Sequence, residues 1–169
     1  VPEPVVVEGA TLRVFLGSLA GSTSSARVFT ELLGAQLDVP AGTTVTLDVR
    51  PDFEHGVLLD TGEIALNGHP VPLSHLAYVA PGSDTMTLTA GPTGATLLLI
   101  GGVPLGEQIV MWWNFIGRSH EEIVQFRTDW QSDVIAGGNA NGRFGVVHGY
   151  DGRALPAPEL PAVRLKPRG

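Results

Sequence analysis

Short stretches in which apolar and polar residues alternate recur through the first hundred positions of the chain. In the stretch "TLRVFLGSL", period two places Leu12, Val14 and Leu16 on one face, as in a strand that buries one side. Residues 44–49, "TVTLDV", alternate in the same way, with valine and leucine on the inner face and threonine and aspartate on the outer face. These patterns predict short β-strands rather than helices.

Turn-forming residues separate these stretches. Residues 40–42 predict one turn, Gly62 predicts a second within "GVLLDTGEIAL", and the Asn67-Gly68 pair predicts a tight hairpin turn. Residues 95–100 are apolar without alternation, which predicts a strand covered on both faces. So many short antiparallel strands favour an all-β fold, either a barrel or a jelly roll, because both arrangements protect strand edges.

One helix is predicted after this region, and it begins at Ser119. In "SHEE", Ser119 and Glu122 form a capping box, with the serine as N-cap and the glutamate at position N3. Ile123, Phe126 and Trp130 follow at spacings that place them on a single apolar stripe. This stripe predicts that the helix packs against the sheet.

These elements predict the domain organisation. We expect one domain over residues 1–132, made of the β-barrel and a closing helix over about 119–132. Residues 133–169 are rich in glycine and proline, which predicts an extended C-terminal tail, since proline disfavours helices and central strands.

All three tryptophans fall within residues 109–130, "IVMWWNFIGRSHEEIVQFRTDW". Read with period two, residues 109–115 form one strand with two bulky apolar faces, which the barrel and the helix would cover. In one interpretation the tryptophans belong to the core and hold this strand against the helix. In the other, Trp112 or Asn114 lines a pocket or a domain interface, and an asparagine on a buried face requires hydrogen-bond partners.

Composition narrows the classes of function. The 169 residues carry a net charge of −7 and their ten lysines and arginines are scattered, which argues against direct nucleic-acid binding. The absence of cysteine excludes disulfides, thiolate catalysis and cysteine–zinc sites, and it fits a reducing compartment, so we predict a cytoplasmic location. No apolar run approaches the roughly 20 residues of a membrane span. The opening "VPEPVVVEGA" lacks signal-peptide features and is typical of a linker, which suggests a fragment or a processed chain.

Five histidines are the candidates for metal ligation: His55, His69, His75, His120 and His148. Because Glu54 and His55 are adjacent, a strand would point their side chains to opposite faces, and both could not bind one ion inside a barrel. A site built from His55, His75 and a carboxylate stays open as an alternative, although it matches no motif. We therefore predict no metal site, and the sequence offers no catalytic residue.

Two charged residues near the tryptophans have an ordinary structural interpretation. Glu107 follows a glycine and is expected to cap a turn or form an ion pair rather than act as a general base. Arg118 is expected to pair with Glu107 or with Asp129. The residues for which a pocket or interface role is considered are His55, Glu107, Trp112, Asn114 and Arg118.

The tryptophan-rich stretch also carries a family resemblance. The segment "LLLIGGVPLGEQIVMWWNFIGRSHEEIVQFRTDWQ" strongly resembles the closing segment of the C-terminal half of pirin-family proteins. The upstream segment "FEHGVLLDTGEIALNG" is similar to the hairpin of a cupin. The resemblance runs from about residue 11 to residue 130, and more weakly through "RFGVVHGYDG" to the end of the chain. It implies a cupin-type β-barrel, or jelly roll of the double-stranded β-helix kind, over residues 1–132.

The resemblance also implies where a metal would lie in the complete protein. Pirins resemble bicupins whose N-terminal barrel holds iron through an HxH pair, a further histidine and a glutamate of a later HxE. This sequence has Arg50, Pro51 and Asp52 where the HxH would precede "FE", and no histidine in "VAPGSDTMTLTA". The resemblance therefore implies the half without a cofactor, with iron or another divalent metal expected only in an N-terminal cupin.

Three hypotheses of function follow. In the first, this is a structural and regulatory C-terminal domain that packs against a metal-bearing N-terminal cupin of the same protein; its exposed faces would then be partly apolar, and the separated chain would tend to self-associate. In the second, it is the supporting half of a metal-dependent dioxygenase that acts on flavonol-like substrates. In the third, it is a stand-alone cupin that binds a small ligand or a protein near His55 and the barrel mouth.

Overall fold

A computed structural model describes residues 2–137 and 141–168 of the chain. Within these residues it contains twelve β-strands, one α-helix and a π-helical turn. The strands are β1 Val5–Val7, β2 Ala10–Leu16, β3 Ser18–Leu19, β4 Ser22–Thr23, β5 Leu32–Val39, β6 Thr44–Asp48, β7 Glu54–Leu66, β8 His69–Val71, β9 Leu76–Val79, β10 Thr85–Gly102, β11 Val110–Trp112 and β12 Phe115–Gly117. The helix α1 is His120–Trp130, and the π-helical turn is Gln131–Ala136.

The chain divides into two compact units, Val1–Leu105 and Gly106–Gly169, here called the first and second units. The first unit contains β1–β10, and the second contains the β11–β12 hairpin, α1, the π-helical turn and the tail. Each unit has its own hydrophobic core. Among the described residues, no helix is both long enough and apolar enough to cross a bilayer.

An antiparallel sheet of eight strands forms the first unit, and two long strands, β7 and β10, organise it. The C-terminal half of β10 pairs with β5 and with the start of β7, which also pairs with β9. The N-terminal half of β10 pairs with β6 and with the end of β7, which continues into β8. Because each long strand serves two half-sheets, the arrangement is that of a jelly roll, with one aliphatic core formed from both halves.

The turn predicted at Gly62 is wrong, because β7 continues through this position as a bulge. Gly62 has φ +81°, and a Cβ atom there would lie 2.0 Å from the carbonyl oxygen of Gly94. Glycine therefore allows the two strands to approach and bend together without ending.

The other predicted turns are confirmed. Residues 40–42 lie in the four-residue turn, 40–43, that connects β5 to β6. Asn67 and Gly68 connect β7 to β8 as a two-residue turn with φ values of 49° and 82°. Positive φ at both positions is the property of a type I′ turn, whose twist matches that of the flanking strands. The alternation over residues 44–49 is also confirmed, since the valines and leucine of this stretch are buried.

The predicted double burial of residues 95–100 is wrong. Ala95, Leu97 and Leu99 are buried, whereas Leu98 is partly exposed and Ile100 is 44% exposed. The strand therefore buries one face in the core and leaves an apolar face outside, although its sequence shows no alternation.

In the second unit, the single strand predicted for residues 109–115 is also wrong. Trp113 and Asn114 are the turn of a hairpin between β11 and β12, in which Trp112 pairs with Phe115. The helix covers one side of this hairpin, and the core consists of Val110, Phe115, Ile123 and Ala157, packed by Trp112, Phe126, Trp130, Leu160 and Leu165. The predicted apolar stripe of the helix is thus confirmed.

The capping box is confirmed with a small change. The Ser119 hydroxyl accepts a hydrogen bond from the backbone N–H of Glu122 at 3.2 Å, as predicted. The Glu122 carboxylate accepts from the backbone N–H of Arg118, one residue before the N-cap. Both contacts satisfy backbone donors where the chain enters the helix.

The helical segment extends past the predicted boundary at residue 132, since a π-helical turn continues to Ala136. Beyond it, the described part of the tail contains no helix, and one isolated bridge joins Ile109 to Arg168. Side chains at the end of the helical segment bind the tail backbone: the Trp130 indole donates to the Leu155 carbonyl and the Gln131 amide oxygen accepts from the Ala157 N–H, both at 2.8 Å. The tail is therefore packed against the helix.

Candidate functional site

His55 is the one described residue with a polar side chain that is buried in the core of the first unit, where it is 3% exposed. It lies at the start of β7, beside Val79 of β9 and Gly101 of β10. A Cβ atom on Gly101 would lie 2.9 Å from the His55 ring, and the ring of Phe53 is 6.1 Å away. The imidazole is therefore closely packed.

The buried imidazole of His55 lacks a hydrogen bond at one ring nitrogen, and its pKa is lowered. Its Nε2 atom has no hydrogen-bond partner, which makes it the only such buried side-chain nitrogen or oxygen among the described residues. Burial lowers the pKa of His55, because the charged imidazolium loses hydration inside an aliphatic core. His55 is thus neutral at physiological pH.

The surrounding side chains do not form a metal site with His55. The Glu54 side chain points to the outer face, where its carboxylate accepts a hydrogen bond from the Tyr78 hydroxyl at 3.1 Å, so the predicted opposite orientation of the two neighbours is confirmed. Across the described part of the chain, no group of three histidines or carboxylates has the geometry to hold an ion. The described core of the first unit therefore offers fewer donors than the two or three histidines and one carboxylate of a mononuclear metal site.

The other histidines are dispersed. His69 and His148 are exposed, and the Nδ1 atom of exposed His75 lies 2.9 Å from the Leu73 carbonyl oxygen. His120 accepts a hydrogen bond from the Leu165 backbone N–H at 3.2 Å, so it helps to bind the tail. None of them is placed beside His55 within the first-unit core.

A charged cluster lies next to Phe53. The Arg50 guanidinium bridges the carboxylates of Glu31 and Asp52 and stacks over the Phe53 ring at 4.4 Å. Hydrogen bonding from Arg50 lowers the pKa of both carboxyl groups, so they stay ionised and paired. A cleft of about 350 Å³ is lined in part by Arg50 and Phe53 but not by His55, so this buried imidazole is separate from the accessible surface.

The predicted residues of the second unit fall in three different places. Glu107 and Arg118 form an exposed ion pair, as expected, and the hydrogen bond from Arg118 lowers the pKa of Glu107. Trp112 packs in the core with its ring 6.4 Å from that of Phe115. Asn114 is exposed in the hairpin turn, so the expectation that it lies on a buried face is wrong.

An aromatic cleft of about 370 Å³ brings together residues from three segments of the second unit. Its lining residues are Trp113, Asn114, Phe115, Ile116, Phe126, Trp130, Arg143 and Phe144. The Trp113 ring lies 5.3 Å from Phe115 and 6.5 Å from Trp130, and Trp130 meets Phe144 edge to face at 5.2 Å. Of the predicted site residues, only Asn114 lines this cleft.

Sequence reasoning missed most of this cleft because Arg143 and Phe144 lie in a glycine-rich segment without periodicity. The one sequence feature that could have indicated the cleft is the pair Arg143-Phe144, since a cation next to an aromatic residue is suited to stacking.

Comparison with known proteins gives consistent matches. A family model of the pirin C-terminal cupin domain matches residues 34–136. A Pseudomonas aeruginosa protein named "Putative quercetin 2,3-dioxygenase" is 36% identical over 154 residues, which are 91% of this chain and 46% of that protein. A pirin-like protein of Caulobacter vibrioides is 26% identical over 151 residues, which are 89% of this chain and 48% of that protein. The chain thus spans about half the length of these curated relatives.

The structural comparison agrees. A crystal structure of quercetin 2,3-dioxygenase from Acinetobacter baumannii matches with a TM-score of 0.80 at 28% identity, covering 98% of this chain and 53% of that chain. The match confirms the predicted all-β cupin jelly roll with one C-terminal helix. Since the family model covers more than half of the sequence, the chain belongs to the pirin family and carries its C-terminal cupin domain.

Proposed function

We propose that this chain is the metal-free, structural and regulatory half of a pirin-like protein, and that it packs against a metal-bearing N-terminal cupin of the same protein. Its curated relatives are about twice as long, which leaves room for a second domain of this size. The cysteine-free composition still predicts a cytoplasmic location.

The observation that carries this proposal is the donor set of the cupin core. A mononuclear oxygenase site requires two or three histidines and a carboxylate around one ion. The described core of the first unit offers His55 alone, surrounded by hydrophobic side chains, and the carboxylate of neighbouring Glu54 faces outward. A domain with this interior is suited to support a metal centre rather than to form one.

The outer face of the sheet is suited to a partner. Pairing places Tyr78, Gly56, Ile100 and Gly34 in one row across four strands, with Leu76 in the next row. We call these five residues the outer face. Its large side chains are exposed, Leu76 at 54% and Ile100 at 44%, and the two glycines leave room for neighbouring side chains to fold over them. Such a contiguous apolar surface marks a contact region in soluble domains.

Two measurements test the proposal. Metal analysis of the purified chain after exposure to iron, nickel and zinc salts should give far less than one ion per chain; a stoichiometric ion bound by its own side chains would refute the metal-free assignment. The N-terminal half of the Pseudomonas aeruginosa relative should bind the chain, measured by calorimetry, with that relative's own C-terminal half as positive control.

The variant Ile100→Glu places a charge in the outer face and should weaken this binding at least tenfold, since burying an unpaired carboxylate is unfavourable. Val6→Glu is the matched control, because Val6 is an exposed apolar residue on the edge strand β1, which β2 and β5 separate from β10. Equal loss in both variants, or no binding when the positive control binds, would contradict docking at the outer face.

A second candidate function is that the complete protein is a dioxygenase, with this chain as its supporting half. The names of two relatives, from Pseudomonas aeruginosa and Acinetobacter baumannii, refer to quercetin 2,3-dioxygenase, which favours a flavonol-like substrate. Oxygen uptake with quercetin should be absent for this chain alone and appear when a metal-loaded N-terminal half is added. Oxygen uptake by this chain alone would show that it is catalytic itself and would contradict its role as the supporting half.

A further inference from the structure

Arg143 is a cation held among aromatic rings. Its guanidinium carbon lies 5.3 Å from the centre of the Phe126 ring and 5.7 Å from that of Phe144. The ion pairs found within the described residues involve Arg13, Arg50, Arg118 and Arg164, so Arg143 has no carboxylate partner there. A guanidinium oriented by rings and left without an anion is prepared to bind one.

Trp113 also lines this cleft, and its backbone is strained. Its φ is +51°, in the left-handed region that bulky residues rarely adopt, at a cost of roughly 1–2 kcal/mol. A glycine in this hairpin turn would remove the strain, but it would also remove the indole that packs against Phe115 and Trp130. Strain of this kind is concentrated at ligand sites, where the surrounding structure maintains it.

We propose that the aromatic cleft binds a planar aromatic carboxylate. The ring system would pack on the Trp113 and Trp130 indoles, and the carboxylate would pair with the Arg143 guanidinium, with the exposed Asn114 amide as a further donor. The volume of about 370 Å³ lies within the range of small-molecule pockets, and apolar walls with few polar groups are their usual composition. All the lining residues belong to the second unit, so the cleft shares no residue with the outer face of the first unit.

The three tryptophans provide a direct assay on the intact 169-residue chain. Each indole N–H gives one signal in a ¹H–¹⁵N correlation spectrum, and titration with 2-naphthoate should move the Trp113 and Trp130 signals in a saturable way. The Trp112 signal should stay still, because Trp112 does not line the cleft. The neutral analogue 2-naphthamide should bind about tenfold more weakly, since it cannot form the charge-assisted pair.

Two variants test the role of the guanidinium. Arg143→Gln should reduce affinity for 2-naphthoate about tenfold and leave binding of 2-naphthamide unchanged. Arg27→Gln is the matched control, because Arg27 also stacks on an aromatic ring, Phe29 at 5.0 Å, but lies in the first unit. This control should bind 2-naphthoate like the unmodified chain.

Three results would overturn the proposal. The first is that the Trp113 and Trp130 signals show no saturable shift at millimolar 2-naphthoate. The second is that Arg143→Gln binds 2-naphthoate as tightly as the unmodified chain. The third is that the Trp113 and Trp130 signals shift with protein concentration alone. The last result would assign the cleft to a second copy of the chain rather than to a small anion.

Discussion

Replacing His55 by leucine tests how much the buried imidazole destabilises the first unit. The side chain is 3% exposed, its Nε2 atom has no hydrogen-bond partner, and the core around it is hydrophobic. Leucine has a similar volume and no polar atom, so it should occupy the same space without leaving a group unsatisfied. We therefore expect His55→Leu to be more stable than the unmodified chain.

The expected gain has two parts. Removing an unsatisfied buried nitrogen contributes about 1–3 kcal/mol at neutral pH. The second part depends on pH, because burial lowers the pKa of His55 below its unfolded value of about 6.5. As pH falls through that value, the unfolded chain takes up a proton that the folded chain refuses, and the unmodified protein loses stability. Between pH 7.5 and pH 5.5 the difference in unfolding free energy between His55→Leu and the unmodified chain should therefore grow by up to about 1.4 kcal/mol.

The assay is urea denaturation at both pH values, followed by far-UV circular dichroism, since the sheet lies in the first unit. Tryptophan fluorescence is unsuitable for this purpose, because all three tryptophans lie in the second unit. His148→Gln, which changes an exposed imidazole, is the control, and its stability difference from the unmodified chain should be the same at both pH values. A loss of stability in His55→Leu at pH 7.5, or a gap that does not grow at pH 5.5, would refute this account of His55.

Three further predictions concern the backbone and the helix. Gly62→Ala should destabilise the first unit by more than about 2 kcal/mol in the same urea denaturation assay, because its Cβ would meet the carbonyl oxygen of Gly94. Gly21→Ala is the control: its φ is also positive, but the space around a Cβ there is open, so the first unit should lose only about 1 kcal/mol of stability. Ser119→Ala removes the N-cap acceptor and should destabilise the second unit by about 1 kcal/mol, measured by tryptophan fluorescence. Trp130→Phe should loosen the tail by about 1 kcal/mol, seen as faster hydrogen exchange near Leu155; unchanged exchange would contradict the docking role of the indole.

Features that depend on residues close in sequence could be predicted. The Asn67-Gly68 turn follows from the positive φ that both positions require, and the capping interaction of Ser119 follows from its spacing to Glu122. The single buried face of residues 44–49 follows from alternation, which a strand converts directly into inside and outside.

Features that depend on distant segments were missed. Gly62 indicates a turn by itself, but its role is to let β7 pass close to Gly94 of β10, a contact between strands far apart in sequence. Trp113 has no turn propensity, so the hairpin at this position contradicts local preference and depends on packing against Trp130. For the same reason Arg143 could not be assigned to a site, since only the fold brings it beside Phe126.

The way in which the helix holds the tail affects how the second unit tolerates sequence change. Trp130, Gln131 and Arg127 contact carbonyl or amide groups of the tail backbone, which every amino acid except proline provides in full. Many different side chains could therefore occupy the tail without loss of these contacts. The exceptions are buried Ala157, where a larger residue would meet the core, and Leu160 and Leu165, which pack against that core. Related tails can therefore keep this position on the helix while most of their side chains change.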